Sequence, residues 1–104
     1  MRIFQITTHL SEILEKSAKE PVVIFKYSNE CGSSERLKVK FQDKILEKTL
    51  KFPIYLVTVQ IQKVLSNKIE EWFSIKHESP QVLVIDKGKV TYTAHHDAID
   101  IEML

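Results

Sequence analysis

At 104 residues, the chain has room for one hydrophobic core and too little for two. Its composition, 43% hydrophobic and 28% charged with a net charge of +1, is that of a globular domain. It lacks the basic excess of a nucleic-acid surface. No run approaches the ~20 apolar residues of a membrane span, and MRIFQITTHLSEIL lacks the apolar core of a signal peptide, so the expectation is a cytoplasmic protein with neither nucleic-acid nor membrane partners.

Taken in order, Ile3 to Ile6 is a brief apolar segment of edge-strand type, followed by Thr7 and Thr8, which are good helix N-cap residues. Leu10, Ile13, Leu14 and Ala18 recur at helical spacing, which predicts an amphipathic helix from about Thr8 or Ser11 to Lys19, stopped by Pro21. Val22 to Phe25 is a continuous, β-branched apolar run, the mark of a strand covered on both faces. Ser28, Asn29 and Glu30 then belong on a surface loop. A second helix after Cys31 carries Leu37, Phe41 and Ile45 on its inner face, with Val39 and Leu46 at the flank and Glu35, Arg36, Lys38, Lys40 and Lys44 facing out. Ile54 to Val59 reads as a second central strand. Ser66 is the expected N-cap of a short helix that turns Ile69, Trp72 and Phe73 to the core. Val82 to Ile85 and Val90 to Thr93 form a hairpin around Gly88. The tail HHDAIDIEML closes the chain as a short helix through Ile99, Ile101 and Leu104.

The order β-α-β-α-β-α-β-β-α, with parallel strands first and a hairpin last, is the thioredoxin plan: an α/β fold with helices on both faces of a small mixed sheet. In such sheets the carboxyl end of a strand and the start of its following helix form the natural site, and Cys31 falls there. Helix N-termini carry unpaired N–H groups and a positive dipole, which favour a thiolate, the nucleophilic form of cysteine. A single cysteine cannot form an internal disulfide, so redox chemistry must run through a mixed disulfide with another molecule.

FKYSNECGSS, the stretch LVTVQIQKVLSNKIEEWFSIKHESPQVLVIDKGKV and the following AHH resemble the monothiol bacilliredoxins of the YtxJ family over nearly the whole chain. The most specific part is IKHESPQ, residues 75–81, and FKYSNEC stands where that family has its Phe-Lys-His-Ser lead-in. The resemblance implies a single thioredoxin-like domain over residues 1–104, a three-layer α/β/α arrangement, Cys31 as catalytic nucleophile, and a cis peptide before Pro80 opposite it. It also implies a role in cell redox homeostasis: releasing bacillithiol from mixed disulfides with cytoplasmic protein thiols. Bacillithiol enters as a co-substrate thiol, and no tightly bound cofactor is expected. Gly32, Ser33 and Ser34 after the cysteine, with Ser79 and Pro80, are the expected substrate-binding residues, and Lys26 and His77 are candidates for tuning the thiol. Gly32 replaces the family's usual proline and Tyr27 its histidine. A glycine leaves the first helical turn looser, which predicts fewer N–H groups held at the sulfur.

Glu30, next to the cysteine, is expected to oppose the thiolate. His95, His96 and Asp97 do not read as a metal site, because adjacent strand residues face opposite sides and no cysteine lies nearby. Two alternatives from other classes stand beside the leading reading. CGSS is close to the Cys-Gly-Phe-Ser of monothiol glutaredoxin-like iron–sulfur scaffolds, although the late Gly-Gly motif of those proteins is missing. The other is a non-catalytic thioredoxin-like binding module with an unactivated thiol. Nothing in the sequence specifies an oligomeric state.

Overall fold

The run Val22–Tyr27 forms strand β1, and all six of its residues are buried. Burial on both faces requires a helical layer on each side, and the computed structural model, which describes residues 4–47 and 50–104, has that arrangement. Its elements are α1 (Leu10–Lys19), β1, α2 (Gly32–Leu46), β2 (Ile54–Thr58), α3 (Lys63–Phe73), β3 (Gln81–Asp86) and β4 (Lys89–His95). Short 3-10 turns at His96–Ala98 and Ile101–Met103 follow. The sheet order is β2-β1-β3-β4, with β1 parallel to β2 and antiparallel to β3.

Alternation along β1 divides the interior. Val23, Phe25 and Tyr27 join Phe41 of α2, Leu56, Val82 and Ile101 in one cluster. Val22 and Ile24 join Ile13 of α1, Leu65 and Ile69 of α3, Leu83 and Ile85 in the other. Side chains of period two on the strand thus serve both layers. Phe25 and Phe41 meet with ring centroids 4.9 Å apart, which fixes α2 against the sheet. On the opposite layer, Ser17 in α1 donates to the Leu14 carbonyl at 2.8 Å and accepts from Gly88 N–H at 3.1 Å, docking the helix on the hairpin turn. Lys87 and Gly88, both at positive φ, form that two-residue turn.

Several expectations are corrected. The first segment makes a single parallel bridge, Gln5 to Tyr55, rather than a strand, and Ile3 lies outside the described residues. His9 occupies the α1 N-cap position, with its N–H bonded to Thr7 Oγ1, and it is Ser17 rather than Ala18 that α1 buries. Helix α3 starts a turn earlier than expected, behind Gln62, so Ser66 lies buried inside it. Trp72 points outward with 63% of its surface exposed, while Ile69 and Phe73 pack inward. Trp72 lies three positions after Ile69, and the single face of α3 that meets the sheet is filled by Leu65, Ile69 and Phe73 at spacing four. The closing helix is replaced by the two 3-10 turns, in which Ile101 is buried and Leu104 packs on the α2-side cluster.

Because Phe41 is fully buried between α2 and β1, Phe41→Ala is expected to cost about 3 to 5 kcal/mol of unfolding free energy in urea titrations. A loss below about 1 kcal/mol would mean that this ring does not hold the helix in place.

Candidate active site

Cys31 is the N-cap residue of α2, in extended conformation at φ −115° and ψ 119°. Its own N–H donates to the Ser28 carbonyl at 3.3 Å, and its carbonyl accepts from Glu35 N–H at 3.1 Å. The chain therefore turns sharply just before the thiol and starts the helix just after it. The lead-in is clamped by Gln60 of the β2–α3 loop, whose Nε2 donates to Ser28 Oγ at 2.6 Å while its Oε1 accepts from Asn29 N–H at 3.1 Å. Ser28 is buried by this clamp, in contrast to the surface position expected for it.

The sulfur sits 3.0 Å from Ser33 Oγ. This hydroxyl is the largest of the influences that bring the thiol down from its ordinary 9.0 to about 7. The Ser34 N–H, the Ser34 hydroxyl and the Ser33 N–H add to it, against a smaller opposing effect of burial. Ser34 Oγ is fully buried and has no other hydrogen-bond partner, so its hydroxyl is left to serve the sulfur. A hydroxyl so placed gains a strong acceptor when the sulfur carries charge. Gly32 contributes neither of the two helping N–H groups. The loose first turn expected from glycine therefore does not remove the amides at the sulfur. Glu30 is exposed and plays no part in the thiol's shift.

Tyr27 gains a structural role that its sequence position did not reveal. Its hydroxyl makes a short hydrogen bond to the Glu35 carboxylate, and Lys38 Nζ lies 4.7 Å over its ring. The end of β1 is thereby tied to the first two turns of α2, beneath the thiol. Glu35 and Gln60 are the site-shaping residues that sequence reasoning missed: Glu35 reads as an outward-facing helix residue, and neither has a local pattern pointing to its partner.

Ser79 and Pro80 are joined by a cis peptide. Pro80 shares a groove of about 210 Å³ with Ser33, Arg36, Leu37, Lys40, His96, Asp97 and Ile99. Ser33, which touches the sulfur, and Pro80 are thus brought to one cleft. A larger depression of about 600 Å³ lies between α2 and the C-terminal turns, away from the thiol.

Lys26 and His77 are placed together, but on the other side of the sheet. Lys26 follows Val22 and Ile24 on the α1/α3 face, and has no exposed surface. Its Nζ donates to the Ser66 carbonyl at 3.1 Å and lies 3.3 Å from His77 Nδ1. Burial lowers the ammonium to about 8, with Glu70 pulling the other way. Burial, and then the Lys26 charge, also lower His77 below its ordinary value. Neither side chain is among the influences on the Cys31 thiol.

The expectation that His95 and His96 face apart is also corrected. His96 has φ 52°, a left-handed backbone that breaks strand alternation, and the two Nδ1 atoms come within 3.1 Å.

The thiolate should govern alkylation, so the rate of iodoacetamide modification is expected to rise with pH around a midpoint near 7. In Ser33→Ala that midpoint moves toward 9.0; an unmoved midpoint would remove Ser33 as the principal stabiliser. Lys26→Met is expected to raise the His77 pKa in a proton NMR titration while leaving the Cys31 midpoint in place, since the ammonium acts on the imidazole and not on the sulfur.

Comparison with solved structures agrees with this architecture. A thioredoxin-fold protein provisionally classed as an oxidoreductase superimposes with a TM-score of 0.81 at 22% identity, covering 96% of this chain and 88% of its own. A variant thioredoxin from Halobacterium salinarum gives 0.71 at 12% identity, over 94% of this chain and 80% of its own. Oxidised thioredoxin from Plasmodium falciparum gives 0.67 at 20% identity, over 88% and 84%. At these identities the likeness is one of fold. A family model for monothiol bacilliredoxin BrxC matches residues 4–104. With its thioredoxin fold and a single cysteine at the head of α2, the chain belongs to the monothiol bacilliredoxin BrxC family.

Proposed function

We propose that this protein is a cytoplasmic thiol–disulfide exchange enzyme that removes bacillithiol from mixed disulfides with other proteins. The observation that carries the reading is the Cys31 thiol, brought to about 7 by Ser33 and the first amides of α2. A thiol with a pKa near the ambient pH combines a substantial thiolate fraction with retained nucleophilicity. The same observation weighs against a non-catalytic module with an ordinary thiol.

In the first step the Cys31 thiolate attacks the bacillithiol sulfur of the protein–bacillithiol disulfide. A new disulfide forms between Cys31 and bacillithiol, the old S–S bond breaks, and the protein sulfur leaves as thiolate and takes a proton from water. The Ser33 hydroxyl, the Ser34 hydroxyl and their N–H groups hold the charge on sulfur before attack. In the second step another low-molecular-weight thiolate attacks the bacillithiol sulfur on Cys31. That step regenerates the Cys31 thiolate and leaves a disulfide of the two small thiols, so the electrons that reduce the substrate come from them. Ser34 stands where a dithiol enzyme carries its resolving cysteine, and a hydroxyl cannot perform that step. Arg36 and Lys40 line the groove beside Ser33 and offer positive charge to a carboxylate-bearing thiol such as bacillithiol. Pro80 lines the same groove, and the backbone of Ser79, joined to it by the cis peptide, is where an extended substrate segment would pair.

Reduced protein offered the disulfides of bacillithiol and glutathione in competition is expected to gain the mass of bacillithiol selectively at Cys31, with no gain in Cys31→Ser. The adduct should then be discharged by free bacillithiol. Equal, slow gain from both disulfides would reject bacillithiol as the co-substrate.

A further inference from the structure

We infer that Glu78, His95 and His96 form a binding site for a divalent transition-metal ion of borderline softness, with zinc as its probe. One ligand atom from each of the three residues lies within 4.8 Å of the others. His95 Nδ1 and His96 Nδ1 are 3.1 Å apart, with rings at 88° to each other. Two nitrogens at that separation, each about 2.0–2.1 Å from one zinc, subtend about 100° at the metal, between the octahedral and tetrahedral angles. Glu78 Oε1 lies 3.9 Å from His96 Nδ1. A tetrahedral pair spans about 3.4 Å, so the carboxylate has to close on His96 by about 0.5 Å, and all three ligand atoms already lie within 4.8 Å of one another. Two imidazoles and one carboxylate, with the remaining positions left to water, suit zinc, nickel, copper(II) or iron(II) and are poor ligands for calcium or magnesium.

The three ligands are held by a framework that does not depend on the ion. His96 N–H donates to the Pro80 carbonyl at 3.0 Å, and His95 pairs with Gln81 across the β3–β4 ladder. Buried Gln81 reaches back to the ligand loop: its Nε2 donates to the Lys76 carbonyl at 2.9 Å and its Oε1 accepts from Glu78 N–H at 3.4 Å. His96 is further held at φ 52°, the backbone state that brings its ring to the side of His95. Without metal, one Nδ1 donates its proton to the other. On binding, the donor imidazole moves that proton to Nε2, and both Nδ1 lone pairs face the ion. His96 also lines the groove with Pro80 and with Ser33, whose hydroxyl meets the sulfur, so the ion would sit at the rim of the groove beside the thiol.

The test is calorimetric titration of Zn²⁺ into the full chain carrying Cys31→Ser, which removes the thiol as a competing ligand. One ion per chain is expected, with affinity weakened at least about tenfold by His95→Ala and by His96→Gly, and also reduced by Glu78→Gln. Glycine is chosen at residue 96 because it adopts a positive φ without strain. Imidazole proton resonances of His95 and His96 should shift on titration while those of His9 and His77 stay in place. Absence of saturable binding, affinity unchanged in both histidine variants, or shifts confined to His9 or His77 would overturn the assignment.

Discussion

Everything at the Cys31 end of this molecule depends on β1 being buried on both faces and hydrogen-bonded along both edges. A strand in that position cannot bend, so the chain leaves the sheet at one place, after Tyr27. The helix that follows must pack back on the face presented by Val23, Phe25 and Tyr27, and Phe41 fixes it there. Four residues remain for the reversal, and the fourth is the cysteine. Its place at the helix start is therefore a consequence of the core, and the Gln60 clamp and the Tyr27–Glu35 bond remove the remaining freedom.

The same strand separates two charged systems that lie close in sequence. Lys26 is five positions before Cys31, and a reading by proximity alone would pair the ammonium with the thiolate. Period-two alternation sends Lys26 to the α3 side, where it meets the Ser66 carbonyl and His77, while α2 rises from the other side. The thiolate is left with neutral donors, two hydroxyls and two amides. Preorganised dipoles of this kind hold charge on sulfur without adding a fixed cation that would also bind the leaving thiolate.

The fold was legible because its signals are local and periodic. The apolar runs at 22–25 and 54–59, the four-residue spacing in α2 and the glycine turn at 88 each name their element, and order supplied the topology. Cys31 and the cis bond before Pro80 were legible too, the latter only through family resemblance, since residues 79 and 80 alone do not choose an isomer. What stayed hidden involves partners far apart in the chain. Gln60 lies 32 residues from Ser28, and Lys26 lies 51 from His77, so no window of sequence joins them. Large aromatics usually face inward, which predicts a buried Trp72, yet α3 has one inward face and Leu65, Ile69 and Phe73 fill it.

His96 is the sharpest case, because the rule applied to it was correct and its premise was not. Neighbouring side chains oppose each other only while both residues are extended, and β4 ends at His95. The next residue enters a left-handed conformation that costs a non-glycine residue energy but is tolerated by histidine more often than by most. What holds it there is the bond from its N–H to the Pro80 carbonyl, directly after the cis peptide. Pro80, which lines the groove beside the thiol, thus also sets the direction of His96. The groove and the histidine pair are therefore consequences of the same turn of backbone.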